Sequence, residues 1–379
     1  MRIGYLLYDE GYSGVIESQA LDVVRFFITE TDYDSILIAA LPFRTHRQVK
    51  RRFEESLGTE IVTSIAVPQR MQTVLQRLEI IRLTRILKKE NVDILICRNA
   101  MACSLALKAR KMIDERIKTR IYFDGRGALK AEAQEYKVYP EFLKPLLFEA
   151  ERNAVLNSDF RIAVTRELVD WWKSEYGYNL ERHAVIPTTI STLQQNFAPS
   201  LFRKEWRAKF GFKPGDVVMA FAGGKAEWQG MDFWLPHMRG WLANVPNLKL
   251  LLLTPENPSI AEIRREYPNH ILRSYVSHSD VLKALSAADY GILWRNPSIT
   301  NIVASPTKLS EYVQAGLTVV TNQGTAVSRL IQSKKLGICI HPEFQEDYIN
   351  QLTEARKDFR SFRLAKMDFF HQLIPSLDE

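Results

Sequence analysis

Two doubly wound α/β domains are the architecture this sequence predicts, and three observations predict it. The chain has 379 residues, beyond the size at which one hydrophobic core keeps growing. Short, almost continuously apolar runs such as RIGYLLYD, DSILIAALP, VDILICRN and LKLLLLTP read as parallel strands buried on both faces. Amphipathic helical stretches alternate with them, which is the pattern of a parallel sheet covered by helices.

RIGYLLYD is the first strand, and GYSGVIESQALDVVRFFITE follows as a loop and a helix with an apolar stripe of Val15, Ala20, Val23, Val24 and Phe27. Gly11 and Gly14 let backbone come close to a ligand. Their spacing does not fit G-x-G-x-x-G, which argues against a nicotinamide site. DSILIAALP and EIVTSIAVP are the next strands. MQTVLQRLEIIRLTRILKKENV reads as a long helix with Val74, Leu75, Leu78, Ile81, Ile86 and Leu87 inward and Arg77, Arg82, Arg85, Lys88 and Lys89 outward. VDILICRN and TRIYFDGRG follow as buried strands. Ligands gather beyond the carboxyl ends of such strands, so Asp124, Arg126 and, further on, Glu132 are candidates for substrate contact. HAVIPTTI closes a first domain of residues 1–190, with Pro187 as a hinge. Pro199, Gly211, Pro214 and Gly215 punctuate the connection to a second domain, residues 191–347.

That second domain opens on VVMAFAGGKAEWQGMDF, a strand running into Gly223-Gly224, then Lys225 and a helix near Gly230. Ser279 or Asp280 is expected to cap a later helix, and the strand DYGILWR ends on Arg295. The stretch ASPTKLSEYVQAGLTVVTNQG carries the most information. Ser305 suits an N-cap and Pro306 the first helical position, Leu309, Tyr312 and Val313 sit at helical spacing, Gly316 ends the helix, and LTVVT reads as a buried strand. Free N–H groups at the helix start, the positive end of its dipole and Lys308 make an anion site suited to a diphosphate. Glu311 is spaced to accept hydrogen bonds from a ribose. An ordinary amphipathic helix of an α/β domain satisfies the same pattern.

SPTKLSEYVQAG resembles the donor-binding signature of nucleotide-sugar glycosyltransferases of the GT-B fold, in the retaining group called family 4. The resemblance implies two facing Rossmann-like domains with a cleft between them, a donor in the second, an acceptor in the first, and helices within 348–379 crossing back to the first. It implies catalytic roles for Lys225, Lys308, Arg295 and Asp124. Donor contacts are expected from Gly14, Gly223, Gly224, Tyr275, Val276, Ser305, Thr307 and Glu311, and acceptor contacts from Arg126 and Glu132. Val303 stands where the family has the first of two Glu residues. Phe123 replaces a His, and Gly224 and Gln229 stand where an Arg and a Lys usually bind the diphosphate, leaving that charge to Lys225. The implied reaction moves a sugar from a nucleotide-sugar to a saccharide or lipid-linked acceptor with retention at the anomeric carbon. No cofactor or metal is expected, because cations and the helix start neutralise the diphosphate. Two other readings stay open: a catalytically silent relative that binds a glycan or nucleotide, and a sugar-nucleotide epimerase using Asp124 with Glu132.

Charge is concentrated. Residues 44–89 hold eleven Lys and Arg against four acids, which accounts for the whole formal charge of +7. Such a patch suits an anionic membrane surface, or else is a solvated face with no partner. Nucleic acid is not expected, for no aromatic interleaving accompanies the charge. No apolar run approaches the roughly 20 residues of a membrane span. With three cysteines lacking metal-ligand spacing and no signal-peptide pattern, a cytoplasmic protein, peripheral at the inner face of the cell membrane, is expected.

Overall fold

The computed structural model describes residues 1–67, 76–112, 119–191, 194, 196–224, 226–358, 370 and 372–378. The chain forms two compact units, Met1–Thr192 with Ala365–Glu379, and Leu193–Leu364. In the first, strands β1 (Arg2–Tyr8), β2 (Asp34–Pro42), β3 (Val62–Val67), β4 (Ile94–Arg98), β5 (Arg120–Gly125), β6 (Phe160–Ala163) and β7 (His183–Val185) form one sheet in the order β3-β2-β1-β4-β5-β6-β7. Every neighbouring pair is parallel. Helices cover both faces, which is why Leu6, Leu7, Ile38, Leu41, Ile94 and Leu95 are all out of solvent.

Helical periodicity explains where the expected apolar faces shift. In the helix Gln76–Lys89 the buried positions are Glu79, Ile80, Leu83, Thr84 and Leu87, a stripe at spacings of three and four. Leu78 falls beside that stripe and is 50% exposed, contrary to expectation, and Ile81 and Ile86 are half-buried. Val74 and Leu75 lie outside the described residues. Glu79 tolerates its inward position by accepting a 2.9 Å hydrogen bond from the Tyr8 hydroxyl. Val15, placed inward by the sequence pattern, is exposed in the first turn of its helix. Near the end of the chain, Tyr348 and Leu352 of the helix Tyr348–Asp358 bury in the second unit's core. Phe370, Leu373 and Leu377 bury in the first unit's core.

The second unit holds β8 (Val217–Ala222), β9 (Leu248–Leu253), β10 (Ile271–Ser274), β11 (Tyr290–Leu293), β12 (Thr318–Thr321) and β13 (Gly337–Cys339), in the parallel order β10-β9-β8-β11-β12-β13. Strand order therefore reverses between β1 and β4 in one sheet and between β8 and β11 in the other. Such reversals open a crevice at the carboxyl ends of the strands.

The SPTK stretch forms the helix Thr307–Gln314, one residue later than its sequence suggests. Pro306 has φ −72° and ψ 136°, so helical dihedrals begin at Thr307 and Pro306, without a side-chain cap bond, takes the cap position. The expected cap by Ser305 and the placement of Pro306 inside the helix are thus corrected. Asp280 likewise precedes the helix Val281–Leu285 without capping it, because its carboxylate accepts from Ser277 and Lys283 instead. At the far end Gly316, with φ +76°, donates to Val313 O at 3.1 Å while Leu317 N donates to Tyr312 O at 2.9 Å. These two bonds make a Schellman closure, and its left-handed residue favours glycine.

Tyr312 locks this helix to the sheet. Its ring lies on Gly291 of β11, and its hydroxyl donates to Ile292 O at 3.2 Å and accepts from Ala222 N at 3.1 Å. A methyl group on Gly291 would fall onto the Tyr312 ring, which is wholly buried. Gly291→Ala should therefore destabilise the protein by about 1–3 kcal/mol through overpacking, read as a lowered Tm. An unchanged Tm would show that the helix can slide off the sheet at no cost.

Candidate active site

In the second unit the polar groups converge where β8 and β11 part. Beyond β8, Gly223 and Gly224 leave room for side chains from two other segments. A Cβ on Gly223 would sit 2.6 Å from Lys308 Nζ and would also overlap Gln229. With glycine there, Lys308 Nζ donates to Gln229 Oε1 at 2.6 Å and stands 4.2 Å from the centroid of the Phe221 ring. Lys308 is only 6% exposed and makes no ion pair with a carboxylate among the described residues. Burial first, and the positive charge of Arg295 second, push its ammonium pKa well below the usual value, with Glu311 opposing.

Arg295 follows β11 and is itself buried. Its backbone N donates to Asn322 Oδ1 at 2.8 Å and its Nη1 to Asn301 Oδ1 at 3.0 Å. Glu311 lies half-buried one turn beyond Lys308. Burial raises its pKa against the pull of His278 and Lys308, and its carboxylate makes no hydrogen bond among the described residues. Two buried basic side chains beside a carboxylate that accepts no hydrogen bond among the described residues make a site chemically suited to an anion that also carries hydroxyl groups.

Ser305 and Thr307 stand half-buried at the start of the same helix. Tyr275, 79% exposed, and half-buried Val276 follow β10 at the same edge. Lys225 lies outside the described residues. Val303 is buried, with its side chain committed to packing rather than to a ligand.

In the first unit the corresponding edge carries a hydrogen-bonded cluster. Asp124, at the end of β5, accepts from the Tyr5 hydroxyl at 2.5 Å, and Arg126 Nε lies 3.1 Å from the same carboxylate oxygen. Across the sheet, Arg98 at the end of β4 is the register partner of Asp124. Its Nε donates to Glu10 Oε2 at 3.0 Å and its Nη2 to Gln19 Oε1 at 2.9 Å. Burial opposes the guanidinium charge, but Glu10, Tyr5 and Asp124 outweigh it and raise the pKa. Asn99, in the left-handed region at φ +67°, donates to Glu10 Oε1 at 2.6 Å and holds that carboxylate in place. Gln19 sits on a π-helical turn, Glu17–Leu21, a local irregularity common at functional sites. Gly14, the first residue of the preceding helix Gly14–Ile16, enters the same helical run.

Asp124 and Arg126 come together as an ion pair, whereas Glu132 joins a different set. It lies on the helix Leu129–Glu135, whose first N–H groups, from Leu129 and Lys130, donate to buried Glu151 at 2.8 Å each. No interaction links Glu132 to Asp124 among the described residues. Phe123 points away from this edge and packs on Trp172 with ring centroids 5.5 Å apart. Sequence reading missed Arg98, Glu10 and Gln19, and it did not foresee that Gln229 holds Lys308. The one available signal was a charged residue closing the otherwise apolar strand VDILICRN.

Burial, and then the charge of Glu151, raise the Glu132 pKa to about 7. A carboxyl raised in the folded state contributes fully below its unfolded pKa and loses that contribution as pH climbs through the folded value. The affected window is therefore about pH 4.5 to 7, and the native protein above it carries a penalty of about 2–3 kcal/mol. Glu132→Gln should raise Tm by about 5 °C at pH 8 and change it little at pH 4.5. Equal shifts at both pH values would remove the titration of Glu132 from the account.

Comparison with known proteins fits these two units. Residues 35–193 match the family model described as Glycosyltransferase Family 4. Residues 240–359 match that of the Glucosyltransferase 3-like C-terminal domain. No curated protein matches the chain in sequence. Among solved structures, Alr3699/HepE from Anabaena in complex with UDP-glucose aligns with a TM-score of 0.70 at 14% identity, covering 100% of this chain and 99% of that one. Sucrose-phosphate synthase from Thermosynechococcus elongatus aligns at 0.69 and 12% identity, covering 100% and 99%. The lipopolysaccharide outer core galactosyltransferase WaaB aligns at 0.68 and 13%, covering 99% of each chain. At such identities the likeness speaks for the fold, while the family models speak for the sequence. With a glycosyltransferase model on each unit, that of family 4 on the first, and the GT-B architecture running the length of the chain, this protein is a glycosyltransferase of GT-B fold.

Proposed function

We propose that this glycosyltransferase takes its sugar from a nucleotide-sugar held by the second unit and passes it, with retention at the anomeric carbon, to a saccharide or lipid-linked acceptor. The observation that carries this reading is the pairing on one short helix, at the β8/β11 reversal, of Lys308, a buried amine, with Glu311; among the described residues the first has no carboxylate partner and the second no hydrogen-bond donor. A donor diphosphate would supply the counter-charge for Lys308 and Arg295, with Lys225 adding to it, and the ribose hydroxyls would supply the donors for Glu311. In the reaction the bond from the anomeric carbon to the diphosphate breaks, the acceptor oxygen bonds to that carbon, and the acceptor's proton leaves. Charge builds on the departing diphosphate, which is where fixed cations lower the barrier. No metal or cofactor is invoked. Because Alr3699/HepE is found with UDP and UDP-glucose, UDP-sugars are the first donors to try, beside GDP-, dTDP-, ADP- and CMP-sugars.

Exposed Arg47, Arg51, Arg52, Arg77, Arg82, Arg85, Lys88 and Lys89 on the helices His46–Leu57 and Gln76–Lys89 support contact with an anionic membrane surface. No helix among the described residues is long and apolar enough to cross a membrane.

Lys308→Ala should lower turnover more than about tenfold while the fold persists, the loss expected for one charge-stabilising donor. Glu311→Ala should weaken nucleotide binding measured by calorimetry. A folded Lys308→Ala protein with normal turnover would take Lys308 out of the mechanism, and an unchanged nucleotide Kd in Glu311→Ala would take away the ribose role. For the basic face, liposomes rich in anionic lipid should sediment the protein at low salt and release it at high salt. Failure to sediment would end the membrane reading.

A further inference from the structure

Two buried polar atoms of the first unit stand at paired positions of neighbouring strands with nothing to bond. Arg98 Nη1 and Asp124 Oδ1 are both closed off from solvent, and among the described residues neither has a hydrogen-bond partner. Their residues are opposite one another across the β4–β5 ladder, and the two side chains feel each other's charge. Neither is a loose end. Arg98 is fixed through its other nitrogens to Glu10 and Gln19, and Asp124 through its other oxygen to Tyr5 and Arg126. Buried polar groups are almost always satisfied, so a donor and an acceptor left open at paired positions of adjacent strands ask for a common partner.

The chemistry of the pair narrows that partner. A cation would suit Asp124 and be repelled by Arg98, and an anion would meet the reverse. A hydroxyl group both accepts from a guanidinium and donates to a carboxylate, and it is neutral. The pair also lies at the β1/β4 reversal, where a doubly wound sheet receives its ligand.

We propose that Arg98 and Asp124 together bind one hydroxyl of a saccharide substrate, Arg98 Nη1 donating to its oxygen and Asp124 Oδ1 accepting its proton. This rests on the glycosyltransferase reading and adds Arg98, with Glu10, Asn99 and Gln19 as its positioning residues, to the groups that choose the sugar. Gln19, on its π-helical turn, accepts from Arg98 Nη2 at 2.9 Å and donates to Thr188 Oγ1 at 3.4 Å, which fixes the guanidinium for this contact. The hydroxyl has two sources, the transferred sugar of the donor or the acceptor saccharide.

Calorimetry on the wild type, Arg98→Lys and Asp124→Asn separates these. Arg98→Lys keeps the charge facing Glu10 and loses Nη1. The probes are UDP and GDP, then UDP-glucose, UDP-galactose and GDP-mannose, the monodeoxy forms of UDP-glucose, and the methyl α-glycosides of glucose, galactose and mannose. Nucleoside diphosphates alone should bind the variants within twofold of the wild type. A loss of tenfold or more for a nucleotide-sugar assigns the hydroxyl to the transferred sugar. The same loss for a methyl glycoside alone assigns it to the acceptor. In the donor case one deoxy position should cost the wild type about as much, and Arg98→Lys should make that deoxy sugar and its parent bind alike. Variants that keep their Tm and bind every probe like the wild type would overturn the proposal, the pair then holding only a water molecule. If one variant fails to fold, the deoxy series on the wild type and the other variant decide alone. A wild type that binds no nucleotide or nucleotide-sugar would instead sink the donor reading.

Discussion

A parallel sheet wound in both directions from one strand must part its covering helices at the carboxyl ends of the two strands where the winding turns. That constraint places nearly everything of chemical interest here. In the first sheet the turn lies between β1 and β4, and in the second between β8 and β11. Tyr5, Glu10, Gln19, Arg98 and Asp124 gather at the one. Gly223, Gln229, Arg295, Lys308 and Glu311 gather at the other. The apolar interiors hold these positions fixed: Tyr312 on Gly291 in one unit, and the buried strands β1, β4 and β5 in the other.

The second site stores electrostatic need. Removing an ammonium from water is costly unless something replaces its hydration, and Lys308 has been given a side-chain carbonyl and an aromatic face rather than a carboxylate. Gln229, neutral where a base would add charge, holds Lys308 without competing for an anion. Gly223 is what permits the two to touch, since a side chain there would occupy the space of both.

The first site is organised differently. Its charges are largely paired internally, Arg98 with Glu10 and Arg126 with Asp124, so it offers hydrogen bonds rather than a net field. A left-handed Asn99 and a π-helical turn under Gln19 show local backbone irregularity tolerated to aim side chains, as is usual where a scaffold serves a ligand. A diphosphate and a sugar hydroxyl ask for these two kinds of environment respectively.

By itself the sequence determined the two-sheet architecture and the existence of the donor-side helix. Continuous apolar runs force burial on both faces, and the SPTKLSEYVQAG pattern carries its own periodicity and glycine stop. Both are local properties, written in the spacing of neighbouring residues. Only the tertiary structure decided what depends on residues far apart in the chain. The helix begins at Thr307 because Pro306 is extended, and Leu78 turns outward because the packed stripe runs through Ile80, Leu83 and Leu87. Arg98 finds Glu10 and Asp124, and Lys308 finds Gln229. No periodicity records such meetings, for they follow from which strands pair and from how much room a glycine leaves between them.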